Sequence, residues 1–370
     1  MQRASLSLKL RLPTLLRYAA LLAAALALAA LIFLTLRGCG FPGETVTSGG
    51  QQLLGASPSD VFLPFGGRVL AFNGSVLSCY SNLGRKLWEY SVADSWGGYK
   101  IEASSTLVAL YKGQNLVLLD QKGALVFQRI LPQEIRSLRV GVGLVAIELP
   151  GAGSLQVLSG QGIEKDSIAL GGAELLDFGF YSQQDMLWAL MLDTTGLGFE
   201  SRLNTYQTGK QQLVTGYASE EQIYYRPLFF KNDIYILGTK ALEYIKDQSQ
   251  SVTSSTGVFG WQYKSAFVGQ NEISIVLSKS DEGESPRSVR LLRGGASEDL
   301  HLPEGCLYVC ASESALVSVS KSVVSAVPYA AGGARKELLF KTPIDRCLAD
   351  VDGKLIVAST GASVYLYRLA

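Results

Sequence analysis

A four-residue apolar unit recurs eight times along this 370-residue chain, and its spacing restricts the folds open to it. The unit reads VLAF at Val69, LVAL at Leu107, LVAI at Leu144, LWAL at Leu187, IYIL at Ile234, ISIV at Ile273, LVSV at Leu316 and LIVA at Leu355. Successive starts lie 38, 37, 43, 47, 39, 43 and 39 residues apart. The stretches between are short runs of Val, Ile, Leu, Tyr and Phe, broken by Gly, Asn, Asp and Ser, a pattern of strands and turns rather than long helices. A period of about 40 residues built from short strands alone is that of a β-propeller.

Each period divides into four strands. In the second they are GYKIEAS, TLVALYK, NLVLLDQ and ALVFQRI. The recurring unit is the second strand, apolar nearly throughout, as a strand covered on both sides by neighbouring blades must be. A Gly turn joins the third strand to the fourth in YSNLGRKLWEYSV (residues 80–92), LDQKGALVFQRIL (119–131) and NTYQTGKQQLVTG (204–216). Glycine supplies the positive φ that a tight hairpin requires. The eighth period holds only three strands, IDRCLAD, KLIVAST and SVYLYRL, before Ala370. A spare strand, GQQLLGA (50–56), precedes the first strand of period one, DVFLPF. Set at the outer edge of the eighth blade, it closes the ring and removes an open seam. The expectation is therefore an all-β, eight-bladed propeller over residues 50–370. A seven-bladed ring is the alternative if one weak period, such as the fifth or sixth with the poorest outer strands, is not a blade.

Ahead of the ring, YAALLAAALALAALIFLTL (18–36) is 19 residues without a charge. At about 1.5 Å per residue it spans roughly 28 Å, close to the hydrocarbon thickness of a bilayer. A signal-peptide core is shorter and ends at a small-residue cleavage site. The expectation is a retained transmembrane helix. Arg3, Lys9, Arg11 and Arg17 precede it and Arg37 follows. The positive-inside rule then leaves residues 1–17 as a short basic cytoplasmic tail and places everything after the helix outside. Residues 37–49 read as a Gly-, Ser- and Pro-containing linker. LRGC (36–39) resembles a bacterial lipoprotein cleavage box, so lipidation of Cys39 is an alternative anchor. Without those five basic residues the chain carries 28 basic against 32 acidic side chains, a balance of −4. A nucleic-acid reader would show a basic domain instead.

In LGRKLWEY, Gly84, Lys86 and Trp88 match a turn ending in Gly-Lys followed by Trp. In TGKQQL, Gly209 and Lys210 match the turn, with Leu213 at the Trp position, and in QKGALVF Phe127 takes that position. On these residues and on its architecture the exported region resembles the quinoprotein-type β-propellers, the family with pyrroloquinoline-quinone-like repeats. The resemblance implies that the aromatic residue docks between blades. It also implies, for the membrane-anchored members that lack the cofactor, a protein-interaction role. The single-helix anchor is similar to that of membrane propeller proteins of Gram-positive bacteria.

Enzyme chemistry has little to stand on, and the expectation is a non-enzyme with no cofactor and no metal. His301, in SEDLHLPEG, is the only histidine, so neither a His-based metal site nor a Ser-His-Asp triad is available. No Gly-rich phosphate loop follows a strand and opens a helix. No stacking Trp with an equatorial set of charges can be assigned to a quinone. Cys306 and Cys310 lack metal-knuckle spacing; either could meet Cys347 from a neighbouring strand, though buried free thiols are the simpler reading.

Interaction residues are better represented. ADSWGGY sets Trp96 and Tyr99 in a connection between blades one and two. FGFYS offers Tyr181, EEQIYYRPLFF offers Tyr225 and Arg226, and VFGWQYK offers Trp261. Trp, Tyr and Arg are enriched at interface hot spots, although each alone also suits interblade packing. The two longest connections between second and third strands, DTTGLGFES (193–201) and SDEGES (280–285), place Asp193 and Asp281 on one face of the ring, where propellers recognise partners. SDEGES lacks calcium-loop spacing. Lys100, Glu102, Arg136, Arg139, Asp177, Lys264, Asp345 and Arg346 fall on the innermost strands. There they line a central channel and need no further role, a small polar ligand being the alternative. The sequence thus points to a membrane-anchored, extracytoplasmic protein-interaction scaffold or sensor at the cell envelope. The alternative is a ligand-binding or enzymatic propeller that acts on a glycan or quinone at the channel mouth.

Overall fold

The structure is a computed structural model that describes residues 45–46, 51–92, 98–151, 153–181, 186–210, 212–249, 251–283, 285–330 and 332–369. Eight antiparallel sheets follow one another along the chain. Their first strands are Val61–Phe65, Lys100–Ala103, Ser137–Val140, Glu174–Tyr181, Tyr224–Phe230, Trp261–Val268, Cys306–Ala311 and Arg346–Val351. These sit innermost, and the first strand of blade eight lies beside that of blade one, so the ring is closed. Second strands are almost wholly buried, as in Leu144–Glu148 and Ala315–Ser320, while fourth strands are largely exposed. The core is accordingly a series of apolar layers between adjacent blades.

Ring closure follows the expected route. Gln51–Leu54 forms the outer strand of blade eight, antiparallel to Ser363–Arg368, with Leu54 opposite Val364. Leu54 is buried in a cluster with Phe62 and Tyr80 of blade one and Val357 of blade eight. The Tyr80 hydroxyl donates to the Gly55 carbonyl at 2.8 Å, which ties the closing strand to blade one. Upstream, Thr45–Val46 runs parallel to the outer strand of blade seven, Lys336–Leu339. The outer strand of blade five is only Ser254–Gly257, but it pairs in full register with Ala241–Tyr244, so the weak fifth period is a true blade.

Antiparallel order defines two faces. First and third strands start at one face, here called upper, and second and fourth strands start at the lower. Connections between blades, and between second and third strands, emerge above; the hairpins from first to second and from third to fourth strands emerge below. Gln51–Leu54 runs upward, so the chain enters the ring from the lower rim. The expected tail, transmembrane helix, Cys39 and most of the linker lie outside the described residues, as does Trp96. Among the described residues no helix is long and apolar enough to cross a membrane.

The Gly turn from third to fourth strand is built alike in blades one to three. Ser81, Asp120 and Ser159 each accept, through the side chain, the N–H groups two and four residues on. Gly84, Gly123 and Gly162 then take φ of +73°, +77° and +80°, values that an L side chain strains to adopt. Gly209 of blade four takes +80° in the same place.

Candidate functional site

Six of the eight residues expected to contact a partner come to the upper face, all of them from the ends of strands or the connections above. Tyr99 precedes the first strand of blade two, half-buried, with Lys112 Nζ 5.7 Å above its ring. Asp193 ends the second strand of blade four. Its Oδ1 accepts from Thr195 N at 3.0 Å and Oγ1 at 2.7 Å, and its Oδ2 pairs with Arg202 at 3.2 Å. The Thr195 hydrogen bonds hold the Asp193 carboxyl below its ordinary pKa, and Arg202 does the same for Glu200. The loop so braced presents Leu197, fully exposed, at its tip. Leu197, Phe199, Glu200 and Glu220 line an open recess of about 540 Å³ together with Asp193.

Tyr225 is the extra residue of a bulge in the first strand of blade five and is exposed. Arg226, also exposed, lies 5.3 Å from the Tyr263 ring centre. Trp261 opens the first strand of blade six beneath the Arg290 guanidinium, 4.4 Å away, and Arg290 in turn holds Asp299 through two bonds of 2.7 and 2.9 Å. Asp281 is exposed in the long connection of blade six. The loop is held by its neighbour Glu282, which accepts from Arg287 N, Ser288 N and Ser288 Oγ.

Tyr181 is the correction. It ends the first strand of blade four and therefore sits at the lower side. There it is buried and stacked on Phe229 of blade five, with ring centres 3.8 Å apart. A first strand ends where the hairpin to the second begins, so its last residues belong below, inside the interblade layer. The sequence reading missed Leu197 and Phe259, each exposed in a connection of the upper face, and Leu176, exposed at the bulge of the first strand of blade four. Leu197 between Gly196 and Gly198, and Phe259 just before Gly260, carry a readable signal: a large apolar side chain isolated in a turn has no core to join.

In the channel, Arg139 of blade three bridges Glu102 of blade two and Asp177 of blade four, each at 2.9 Å. Burial, aided by Asp177, pushes the Glu102 carboxyl above its ordinary value against the pull of Arg139. Arg136 pairs with Glu148 at 3.0 Å, Arg346 donates to the Pro58 carbonyl and Asp345 accepts from Gly361 N. Lys264 is the bulge residue of its strand. Of these charges, Glu102, Arg139 and Asp177 answer one another across blades two to four.

Cys79, Cys306 and Cys310 are buried free thiols and Cys347 is half-buried and free. Burial pushes Cys79 up to about 11 and, helped by Asp350, Cys347 up to about 12. The Tyr308 hydroxyl donates to Asp350 and joins blades seven and eight. His301 is exposed at the end of an outer strand. Among the described residues no three His, Cys, Asp or Glu side chains are grouped to hold a metal.

On the outer side of blades one to three, the residue four after the turn glycine reaches into the next blade. The Trp88 indole covers Gly123, where a Cβ would come within 2.5 Å of the ring, and Trp88 Nε1 donates to the Gln121 carbonyl at 3.0 Å. Phe127 covers Gly162 in the same way. Asp166 Oδ2 accepts from Gly209 N at 2.8 Å. Leu213, the next in the series, is exposed and ends it.

Such a ring, stitched blade to blade and closed by its own amino-terminal strand, is an eight-bladed β-propeller. The chain belongs to DUF5711, a family of unknown function, whose model matches residues 51–298. No curated protein matches it in sequence. Among solved structures it is similar to BamB from Moraxella catarrhalis, at 12% identity and a TM-score of 0.55, over 87% of this chain and 97% of that one. It is also similar to the computationally designed Ika8 protein, at 12% identity and a TM-score of 0.58, over 86% of this chain and all of that one. A chain of a mitotic checkpoint complex matches at 9% identity and a TM-score of 0.50, over 89% of this chain and 97% of that chain. At these identities the likeness is one of fold.

Proposed function

We propose that this propeller is a non-catalytic protein-interaction module, tethered to the cell membrane by residues 18–36 and held outside the cytoplasm as a scaffold or sensor at the envelope. One observation carries the reading. Leu197, Tyr225 and Phe259 are each exposed at the upper ends of blades four to six, large apolar side chains that a solvated rim does not need. Glu220 lines the same recess as Leu197, and Glu221 and Asp281 are exposed in connections of the same face, so the partner surface proposed is apolar with a basic margin. The chain enters the ring from below, and an anchor at residues 18–36 therefore leaves the upper face turned away from the bilayer. Docking of Trp88 and Phe127 between blades agrees with a quinoprotein-like repeat that has kept its packing without a cofactor. The mutual pairing of Glu102, Arg139 and Asp177 leaves a small ligand little to bind in that sector of the channel.

The test is photo-crosslinking of the full chain in its native membrane, with a benzophenone side chain at Phe259 or Leu197 and a control at Leu125 on an outer strand. A discrete adduct from the two upper positions and none from Leu125 is the expected result. Silence from both upper positions, or a stabilising shift on adding a quinone or glycan, would transfer the assignment to the channel mouth. Alkylation of surface residues in intact cells by a membrane-impermeant reagent tests the extracytoplasmic placement separately.

A further inference from the structure

The lower rim of blades one to four is built differently from that of blades five to eight. In the first half, the connections that emerge below hold apolar side chains in the solvent. Leu83 precedes Gly84 in the outer turn of blade one, Val142 lies between Gly141 and Gly143 in the inner hairpin of blade three, and Ile163 follows Gly162 in its outer turn; all three are exposed. Arg85, Lys122 and Lys210 stand exposed in the same set of connections. Among the described residues that set holds one acid, Asp120, and its Oδ1 already accepts from Lys122 N at 2.7 Å and Ala124 N at 2.9 Å. The corresponding connections of blades five to eight hold as many acids as bases among the described residues. There Lys354 pairs with Glu313 at 3.1 Å and Arg335 with Glu337 at 2.6 Å.

From this we infer that the lower rim of blades one to four docks on anionic lipid headgroups of the membrane that holds residues 18–36. The inference rests on the tether in the reading above and not on the upper-face partner. Topology supplies the nearness. Thr45 pairs with Lys336 at the lower end of the outer strand of blade seven, so residues 37–44 alone separate the apolar stretch from the ring. A chain of that length reaches at most about 28 Å. Gln51–Leu54 then enters blade eight from below, and Gln52 lies against the outer turn of blade one, where a Cβ on Gly84 would come within 2.2 Å of Gln52 Cγ. The turn that carries Leu83 and Arg85 therefore adjoins the place where the chain comes up from the bilayer. Chemistry supplies the occupant. Apolar tips beside basic side chains suit a surface with anionic headgroups above an apolar acyl layer. Each Lys or Arg near such a surface adds about fivefold to the attraction. An acidic protein would answer the same charges, but the bilayer is what the chain itself brings to this rim.

The experiment places the full chain in lipid nanodiscs, either of phosphatidylcholine alone or of equal parts phosphatidylcholine and phosphatidylglycerol. A benzophenone side chain stands at Leu83 or Ile163, with a control at Leu197 on the upper face, and lipid adducts are counted by mass spectrometry. Expected are adducts at Leu83 and Ile163, several-fold more of them in the anionic discs, and none at Leu197. Arg85→Glu with Lys122→Glu should cut the Leu83 adduct about tenfold or more, while the chain stays in the disc and melts as the wild type does, both side chains being exposed. A chain held in the discs without adducts at Leu83 and Ile163 would overturn the docking alone. So would equal yields in neutral and anionic lipid, equal yields at Leu197, or no change on the double charge reversal. A chain that does not remain with the discs at all would instead remove the tether, and the docking with it.

Discussion

Between blades one and two an indole fills the outer interface; between blades five and six the corresponding space is open to solvent. Both junctions have a glycine turn on one side and an outer strand on the other. The difference is one side chain, Trp88 against Ser254, at equivalent register. It is part of a wider division. The junctions from blade eight round to blade four are tied at their outer edges, by Gln52 of blade eight on Gly84, Trp88 on Gly123, Phe127 on Gly162 and Asp166 on Gly209. In blades four to eight the first strands carry bulges, and the ties there lie nearer the axis, as in Tyr224 N to Ser201 Oγ, Ala311 N to Ser265 Oγ and Tyr308 to Asp350. Closure constrains the ring as a whole, so blades stitched at the inner edge can leave outer grooves open. A second groove, of about 340 Å³ beside His301 and Leu316, lies between blades six and seven, in the same half.

The largest effect should come from forcing the first kind of junction to become the second. Gly123→Ala places a Cβ against the Trp88 ring at positive φ. The conformation costs roughly 1–2 kcal/mol for an L residue and the overpacking about 1–3 kcal/mol more. Gly295→Ala has the same φ with open space around it, so only the first cost applies. Urea unfolding of the two variants should therefore differ by about 1–3 kcal/mol, and equal losses would show that Trp88 does not dock as described. Ring closure gives a comparable contrast within one strand. Leu54→Ala, buried between blades eight and one, should lose about 2–4 kcal/mol, while exposed Leu53→Ala should stay within about 0.5 kcal/mol. Similar losses at both would mean that the strand does not close the ring in this register.

Much of this was legible beforehand, and the boundary has a physical basis. Strand order, blade number and the closing strand follow from local signals: the buried second strand repeats as an apolar unit, the turns repeat as glycine, and three strands at one end complement one at the other. The upper-face positions of Tyr99, Asp193, Tyr225, Trp261 and Asp281 follow from counting strand reversals. Tyr181 differs because it ends a strand running downward into the layer that Phe229 completes, the interblade packing that its residue type suits equally well. Docking is less readable still. That Trp88 covers Gly123, 35 residues away, depends on how far one blade is rotated against the next. The groove at Ser254 is an absence, visible only once the plug has been seen in its sister junctions.

Smaller effects sharpen the account of the plug itself. Trp88 is half-buried, so Trp88→Ala should lose about 2–3 kcal/mol, below the range for a fully buried indole. Trp88→Phe keeps the ring and loses the 3.0 Å bond to Gln121, about 1 kcal/mol. The most delicate readout is chemical. Cys79 stands opposite Trp88 across the hairpin and is buried, with its thiol pushed from 9 to about 11. At pH 8 only about one thiol in a thousand is then ionised, against roughly a tenth at the ordinary value, and the thiolate is the reactive form. Removing the indole wets Cys79 and lowers its pKa. Trp88→Ala should thus be alkylated at Cys79 up to about 100-fold faster in the folded state, located by peptide mass spectrometry, with Cys310 unchanged behind its own blades. The linkage has a definite sign. Because the folded pKa is raised, the stabilisation from keeping Cys79 neutral is complete below the unfolded value and is lost as pH climbs toward 11. The wild type should therefore lose more stability between pH 8 and pH 11 than Trp88→Ala does. A variant with the wild-type labelling rate and the same alkaline slope would mean that some other side chain, and not Trp88, seals the first junction.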